Sequence, residues 1–289
     1  MISLTKETKI LIVGLGVIGG SYARALSRNG YRVRCITKEQ KDIDYALSLG
    51  MIESGSTDVT KETVGWADLI VFALYPHIFV EWIEDYQHLL SPGTLITDVT
   101  GVKSRIVREV QTMLRPDVEF IAAHPMAGRE SSGVEYSDDR VFIGANYIIT
   151  PTERNTQEAI DVCHSLGEIL GFARISHLSP EEHDRMIAFL SQLTHCIAIT
   201  LMTANDSPMM EQYTGDSFRD LTRIAKINDV MWSELFLLNK DALLEQMDAF
   251  SNEFERFRTL LKEEDSDGMR EVMRRATARR MLFDKPKAT

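Results

Sequence analysis

The chain has 289 residues, of which 44% are hydrophobic and 26% charged, an ordinary composition for a globular protein. Its formal net charge of −11 argues against nucleic acid as a partner, because phosphate binding needs a basic surface. At roughly 150 residues per domain, the length predicts two domains.

Short motifs and hydropathy exclude further classes. Three cysteines, Cys35, Cys163 and Cys196, are too scattered for a disulfide framework. The sequence has no CxxC, no HExxH and no two histidines four residues apart, so we expect no metal site. The apolar run near the N-terminus is broken by glycines and is shorter than the roughly 20 residues of a membrane span. We therefore expect a cytoplasmic protein that binds neither a metal nor a membrane.

Short apolar strands alternate with amphipathic helices in the first half of the chain. Such alternation is typical of parallel strands covered by helices on both faces and joined by right-handed crossovers. We predict an α/β fold that begins with a Rossmann-type, doubly wound parallel sheet. The predicted strands are 9–13, 31–37, 67–74, 94–99, 118–125 and 146–151, and the predicted helices are 14–30, 42–50, 77–90 and 103–114.

After residue 155 the pattern becomes mostly helical. Ser179, Pro180 and Glu182 form a strong start signal for a helix that runs to about Ala204 without a glycine. The later half of this helix is apolar nearly all round and must be buried on most sides, so we expect a second copy of the chain to cover it. The other predicted elements are helices at 155–171, 229–262 and 266–283 and a brief strand at 173–178.

These patterns predict two domains and a homodimer. The first domain, residues 1–154, is expected to be a dinucleotide-binding Rossmann domain. The second, residues 155–289, is expected to be an all-α domain that contacts the substrate and forms the dimer.

A GxGxxG motif follows the first strand and opens the first helix, which is the context that dinucleotide binding requires. In such folds the first glycine permits a tight turn, the second lets the backbone approach a pyrophosphate, and the third lets helix and strand pack closely. The free N–H groups at the helix start then bind the phosphates. A glycine-rich turn without a ligand is the alternative. The predicted cofactor contacts are Gly14, Leu15, Gly16, Val17, Ile18 and Gly19.

The end of the second strand bears on the choice between NAD and NADP. An acidic residue there would bind the 2′-hydroxyl of the adenosine ribose, but this chain has Thr37 and Lys38, with Arg34 nearby. A hydroxyl and a cation suit a 2′-phosphate, so the sequence favours NADP over NAD. The alternative is that Lys38 is solvated and that Glu39 or Asp42 reaches the ribose.

His124 lies in the run AAHPMAG, at the end of the fifth predicted strand. Ligands of open α/β sheets bind beyond the carboxyl ends of the strands, so a nicotinamide is expected nearby. A neutral imidazole there can take a proton from an alcohol while a hydride leaves the same carbon. We predict that His124 is the catalytic base. The alternative is a histidine that only satisfies local backbone groups.

The run DVTGVK follows the fourth strand and belongs to the same edge of the sheet. Thr100 is predicted to hydrogen-bond the imidazole or the ligand, as a second catalytic residue. Asp98 either orients a partner or caps the turn, and Lys103 is expected to begin the next helix in solvent. Leu74 and Tyr75, at the end of the third strand, are expected to contact the cofactor.

Polar and cationic residues of the helical half are candidates for substrate binding. Ser191 and His195 share one face of the apolar helix and are costly to bury without partners. They are predicted to face the substrate, with an internally satisfied core histidine as the alternative. Arg219, Arg223 and Lys226 line up at helical spacing, and a guanidinium suits a carboxylate. The sequence leaves open which of the three faces the site, or whether all are solvated.

The chain resembles the prephenate and arogenate dehydrogenases of tyrosine biosynthesis over nearly its whole length. The resemblance rests on GLGVIGGS, ADLIVFAL, TDVTGVK, HPMAGRESSGVEYSD, GANYIITP, SQLTH, FRDLTRIA and the Met-Trp pair at 231–232. It implies NAD(P)-dependent oxidative decarboxylation of prephenate to 4-hydroxyphenylpyruvate, with the ring hydroxyl bonded to His124. It also implies that Arg223, His195 and Trp232 lie at the substrate and that the helical domains form the dimer.

Two positions depart from the family pattern. Many relatives have Gly-Ser where this chain has Thr100 and Gly101, so a serine contact to the catalytic histidine is missing unless Thr100 supplies it. Arg129 stands where a small polar residue is frequent.

Other functions remain open at this point. Arogenate as the substrate would give tyrosine directly. A β-hydroxyacid dehydrogenase would use a lysine on the long helix, and residues 180–204 contain none. From another class, the chain could be a catalytically idle dinucleotide sensor, although the combination of His124, His195 and Arg223 argues against this.

Overall fold

The computed structural model describes residues 4–128 and 131–283. Its main sheet contains β1 (Lys9–Val13), β2 (Arg32–Ile36), β3 (Ser54–Ser56), β4 (Leu69–Phe72), β5 (Leu95–Asp98) and β6 (Glu119–Phe120). All pairs are parallel, in the order β3-β2-β1-β4-β5-β6. The winding reverses direction at β1, which confirms the predicted doubly wound sheet.

Helices cover both faces of this sheet, because its central strands are apolar on both sides. All four residues of β4, Leu-Ile-Val-Phe, are buried, as a parallel strand between two helical layers requires. The core includes aromatic contacts. For example, Tyr22 packs edge-to-face on Phe142, with their ring centres 5.3 Å apart. The helices are α1 (Val17–Arg28), α2 (Gln40–Ser48), α3 (Lys61–Val64), α4 (Pro76–Tyr86) and α5 (Ser104–Met113).

A second, three-stranded sheet corrects the sequence prediction in two places. The predicted fifth strand, 118–125, divides into β6 and β7 (Ala122–Pro125), and the predicted sixth strand is β8 (Asn146–Thr150), which pairs antiparallel with β7. β9 (Arg174–His177) pairs parallel with β8. The described residues between β7 and β8 form only short 3-10 turns, so the chain returns antiparallel without a helical crossover. The sixth strand of the main sheet is instead β3, whose sequence Ser-Gly-Ser carries no apolar signal.

The rest of the chain is helical, as predicted. The start of α7 at Pro180 has the predicted capping box between Ser179 and Glu182. The predicted helix 229–262 is broken at Asn239, whose buried side chain donates hydrogen bonds to Asp184 O and Gln192 Oε1 instead of facing solvent. The helices are α6 (Gln157–Leu170), α7 (Pro180–Ile187), α8 (Thr194–Thr203), α9 (Asp216–Thr222), α10 (Asp229–Leu238), α11 (Lys240–Lys262) and α12 (Ser266–Arg280). The chain divides into two compact units, one ending at Lys240 and the other beginning at Asp241.

The continuous helix Pro180–Thr203 leaves much of its apolar surface uncovered. By length and composition alone this 24-residue helix could cross a membrane, a test that core helices of soluble proteins also pass. Only 28% of its most apolar window is buried within the chain. Burial on most sides, which the sequence predicted, is therefore not achieved by one chain. Its exposed large side chains, here called the apolar face, are Met186, Phe189, Leu190 and Met202.

Candidate active site

The carboxyl ends of neighbouring strands form one continuous edge. Four backbone N–H groups at this edge donate to the last residue of a neighbouring strand of the main sheet. The four bonds join Gly14 to Ile36, Ala73 to Val13, Val99 to Phe72, and Ala123 to the carboxylate of Asp98, over 2.8–3.2 Å. The edge therefore holds the glycine loop, the residues after β4, the residues after β5 and His124 in a single row.

The glycine loop fits the pyrophosphate of a dinucleotide. A Cβ at Gly14 would lie 2.4 Å from Ala73 O, and a Cβ at Gly19 would lie 2.0 Å from Gly14 O, so neither position accepts a side chain. A Cβ at Gly16 would enter open space, where backbone can approach a ligand. Gly16 caps α1, which has neither a side-chain cap nor an acidic residue in its first turn. Its N-terminal N–H groups can therefore bind phosphate.

Other predicted cofactor contacts lie beside this loop. Leu15 and Val17 have buried side chains, so they would meet a ligand through their backbone, and Ile18 is half-buried. Leu74 Cδ2 lies only 2.8 Å from the position of a Cβ on Gly14, which places this side chain against the loop. The exposed Tyr75 accepts a hydrogen bond on its hydroxyl from Asn228 at 2.9 Å.

Thr37 and Lys38 follow β2 on the same edge, and the Lys38 side chain is exposed. Arg34 is engaged elsewhere: its guanidinium carbon lies 4.0 Å from the ring centre of Trp66, which precedes β4 at the opposite edge of the sheet. Of the two cations considered for the adenosine ribose, Lys38 is therefore available at the end of β2 and Arg34 is not.

His124 is half-buried and has a histidine behind it. Its Nδ1 lies 2.9 Å from Nε2 of His183, and Nδ1 of His183 lies 2.8 Å from Oδ1 of Asp184. Burial, followed by the neighbouring His183 and Lys103, holds the pKa of His124 well below its usual value. His124 is therefore neutral at neutral pH and can accept a proton, as a catalytic base must.

A buried ion pair fixes the peptide that precedes His124. Lys103 is fully buried, and its Nζ donates to Asp98 Oδ2 at 2.7 Å and to Ala123 O at 2.6 Å. Asp98 accepts the N–H of the same Ala123 through its other oxygen, so both polar groups of that residue are bound by the pair. Burial lowers the pKa of Lys103, and the adjacent Asp98 carboxylate offsets part of that effect. The expectation that Lys103 is solvated is wrong, because its partners come from β5 and β7.

Thr100 belongs to this ion pair and not to the imidazole. Its hydroxyl is hydrogen-bonded to Asp98 Oδ2 and lies 3.2 Å from Lys103 Nζ. The contact from Thr100 to His124 that the sequence suggested is replaced by the contact from His183. We call Asp98, Lys103, His124, His183 and Asp184 together the polar network.

The predicted substrate residues of the helical half form a second group. The imidazole of His195 stacks on Trp232, with ring centres 3.8 Å apart and an interplanar angle of 31°. Nδ1 of His195 lies 2.8 Å from the carbonyl oxygen of Ser191 and donates to it. The structure therefore brings together three of the four predicted substrate residues.

A π-helical turn, Ala188–Leu193, separates α7 from α8. In an unbroken α-helix, His183 and His195 would point about 120° apart. A π turn takes up one additional residue, which reduces this angle to about 20°. By this ideal geometry, the turn brings the directions of His183 and His195 close together although twelve residues separate them.

Of the three candidate cations, Arg219 lies within α9 and the other two follow it. Arg219 pairs with Asp216 at 3.2 Å and donates to Thr214 O at 3.0 Å, so it is held on its own helix. Arg223 begins a 3-10 turn and is exposed, as is Lys226. Arg129, the second departure from the family pattern, lies outside the described residues.

A dinucleotide cradle and a neutral imidazole on one sheet edge define a nicotinamide-dependent dehydrogenase. Two family models match the chain: the nucleotide-binding domain of prephenate dehydrogenase over residues 22–175 and its dimerization domain over 179–275. The chain therefore belongs to the prephenate dehydrogenase family.

Individual relatives agree with this assignment. Prephenate dehydrogenase of Bacillus subtilis is 31% identical over 272 residues, 91% of this chain and 72% of the relative. Cyclohexadienyl dehydrogenase of Zymomonas mobilis is 29% identical and covers 97% of both chains. The solved structure of prephenate dehydrogenase from A. aeolicus, in complex with hydroxyphenyl propionate and NAD+, has a TM-score of 0.89 at 29% identity, covering 98% of this chain and all of that one.

Sequence reasoning missed His183 and Asp184. The available signal was spacing: Pro180, His183 and Ile187 recur at helical intervals and are all buried. A charged or titratable residue on the inward face of a helix must have a partner, and that partner is His124, 59 residues away in sequence.

Proposed function

We propose that the chain catalyses the NAD(P)-dependent oxidative decarboxylation of prephenate to 4-hydroxyphenylpyruvate. One observation carries this proposal: His124, held neutral, lies on the same sheet edge as a glycine loop shaped for a dinucleotide. Family membership supplies the substrate class.

In the proposed reaction, Nε2 of His124 takes the proton of the ring hydroxyl. A bound nicotinamide supplies the acceptor for the hydride that leaves the same carbon. The bond between the ring and its carboxylate breaks, CO2 departs, and the electron pair of that bond completes the aromatic ring. The ring oxygen then takes the proton back from His124, which gives the phenol and the neutral imidazole. The polar network serves this step because it holds the imidazole neutral before the transfer and hydrogen-bonded after it.

Substrate binding is assigned to the second group of residues. We propose that Arg223 binds a substrate carboxylate through its guanidinium. His195 and Trp232, stacked on each other, would form an adjoining wall, and Ser191 holds the imidazole of His195 through its carbonyl. Thr100 is proposed to act through the Asp98–Lys103 pair.

For the cofactor we propose a preference for NADP. The support is the absence of an acidic residue directly after β2, together with Thr37 and the exposed Lys38 at that position. A lysine ammonium there suits a 2′-phosphate, whereas NAD offers it no charge.

We also propose a cytoplasmic homodimer. The apolar face of Pro180–Thr203 supports the dimer, because a second copy would bury side chains that one chain leaves in water. The three cysteines are unpaired, as a reducing compartment would keep them. The functional boundary between the domains at 154/155 stays a prediction.

The decisive experiment is a two-by-two assay of prephenate and arogenate, each with NAD and NADP, followed by the absorbance of the reduced nicotinamide. We expect prephenate with NADP to be the most efficient pair. Turnover of arogenate alone would assign that substrate instead. Cofactor binding without turnover of either substrate would overturn the proposal in favour of a dinucleotide sensor.

A further inference from the structure

Behind His124, the side chains of α7 form a hydrogen-bonded chain that leads to a carboxylate. Asp184 accepts three bonds: from Nδ1 of His183 and from the backbone N–H groups of Lys103 and Ser104, each at 2.8 Å. Burial would raise the pKa of Asp184, but these bonds outweigh burial and lower it. Asp184 is therefore an ionised acceptor at neutral pH.

The ionised carboxylate determines where the protons of both imidazoles lie. Because Oδ1 of Asp184 can only accept, Nδ1 of His183 must carry the proton in their hydrogen bond. Burial lowers the pKa of His183, with Asp184 opposing, so the imidazole is neutral and its Nε2 holds a lone pair. Nδ1 of His124 must then be the donor across the 2.9 Å contact to that lone pair. Nε2 of His124 is left as the basic nitrogen.

We propose that His183 and Asp184 are positioning residues that hold His124 in the tautomer with its proton on Nδ1 and its lone pair on Nε2. This inference rests on the proposed function of His124 as the base. The other tautomer, with the proton on Nε2, is the one that a neutral histidine favours in water, and it cannot accept a proton from substrate at that atom. The pair of His183 and Asp184, here called the relay, also gives the imidazolium that forms during turnover an acceptor for its Nδ1–H.

In this chain His183, and not a hydroxyl of residues 100–101, is bonded to Nδ1 of His124. Residue 101 is glycine, and a Cβ there would face the side chain of Leu235 at 3.5 Å. The hydroxyl of the preceding Thr100 is bound to Asp98. The groups that face His124 are thus Asp98 from β5, Lys103 from the segment before α5, and His183 with Asp184 from α7. Of these, His183 makes the contact to Nδ1.

The test is ring-nitrogen NMR of the full-length protein labelled with ¹⁵N-histidine. Protonated and unprotonated ring nitrogens resonate far apart, and the His124 signals are those lost in His124→Asn. We expect Nδ1 protonated and Nε2 unprotonated in the unmodified protein. Protonated Nε2 would overturn the proposal without any variant of His183. This readout needs no turnover, so it is independent of whether prephenate is the substrate.

Two variants of His183 separate positioning from packing. His183→Asn retains a donor toward Asp184 but has nothing to reach His124, whereas His183→Gln places an amide oxygen near the lost Nε2. In His183→Asn we expect the His124 proton to shift toward Nε2 and kcat to fall about 10–100-fold. KM and cofactor affinity should be unchanged, and His183→Gln should restore both the tautomer and much of kcat. His164→Asn, at a partly exposed histidine of α6 that lies beside Glu168, is the matched control and should change neither.

The opposite results are equally defined. An unchanged His124 tautomer in His183→Asn, or equal kcat in the Asn and Gln variants, would overturn the relay. Loss of activity in all forms, including the unmodified protein, with the expected tautomer present would contradict the proposed function and leave the relay standing.

Discussion

The helix Pro180–Thr203 contributes His183 and Asp184 to the polar network and also carries the apolar face, yet one chain completes only the first. In the network, the fully buried Lys103 and His183 each have partners within 3 Å. On the apolar face, Phe189 and Leu190 are each about half exposed. The proposed acid–base residues are therefore brought together by contacts within one chain, whereas the apolar face of the helical half stays largely uncovered.

This difference has an energetic basis. A buried charge without a partner costs several kcal/mol, so a folded chain must satisfy its network internally. An exposed apolar side chain costs far less free energy, so a folded single chain can leave it in water. Its burial on association would stabilise the dimer by about 25 cal/mol for each Å² of apolar surface. Substitutions in the polar network should therefore lower the stability or activity of the single chain. Substitutions on the apolar face should weaken the dimer.

The largest expected effect comes from Lys103→Met. Removing the ammonium leaves the Asp98 carboxylate buried without its counter-ion, and breaking such a pair typically costs about 3–5 kcal/mol. The free energy of unfolding in urea measures this loss. The double variant with Asp98→Asn should recover part of it. Arg105→Ala, which breaks the exposed Arg105–Glu109 pair, is the control and should cost less than about 1 kcal/mol. Equal losses in the two single variants would contradict the distinction.

His124→Asn should reduce turnover of prephenate by about 10²–10⁴-fold, the usual contribution of a general acid–base group. The glycine loop follows β1, two strands away from the end of β5 that binds Ala123, so the dissociation constant of the cofactor should not change. Stopped-flow kinetics and cofactor titration measure the two quantities separately. A variant with normal kcat would remove His124 from the chemistry.

Phe189→Asp should weaken the dimer while each chain remains folded. A charge in place of a central aromatic contact costs about 2 kcal/mol or more, which is about a 30-fold increase in the dimer dissociation constant. Sedimentation equilibrium measures it. Leu49→Asp is the matched control, because Leu49 is 51% exposed and Phe189 53%, but Leu49 follows α2 away from the apolar face. A dimer equally sensitive to both, or to neither, would argue against this interface.

Local sequence patterns are sufficient to predict those parts of the site that are formed by neighbouring residues of the chain. The tight approach of Gly14 to Ala73 and of Gly19 to Gly14 follows from the motif's position between an apolar strand and a helix. His124 was assigned to the correct edge because a strand's carboxyl end is visible in the sequence, even though that strand left the main sheet.

The remaining contacts could not be predicted because they join distant segments. A lysine in a loop is solvated by default, and only the approach of β5 and β7 gives Lys103 two buried acceptors. The contact between His124 and His183 likewise depends on how α7 packs. Arg34 is the opposite case. Its closeness in sequence to Thr37 and Lys38 suggests a place beside the ribose, but its guanidinium stacks on Trp66 at another edge of the sheet.

That contrast between Lys38 and Arg34 gives the smallest expected effect. Lys38→Ala should lower kcat/KM with NADP about fivefold, because a solvent-exposed charge pair contributes about 1 kcal/mol, and should leave kcat/KM with NAD unchanged. Arg34→Ala removes a cation of the same sign only four residues away, but one that stacks on Trp66, so the ratio of NADP to NAD efficiency should stay constant. Steady-state kinetics with both cofactors measure this ratio. If Arg34→Ala changes the ratio and Lys38→Ala does not, Arg34 within β2 binds the 2′-phosphate and Lys38 does not. The ribose would then be assigned to a site beside Arg34.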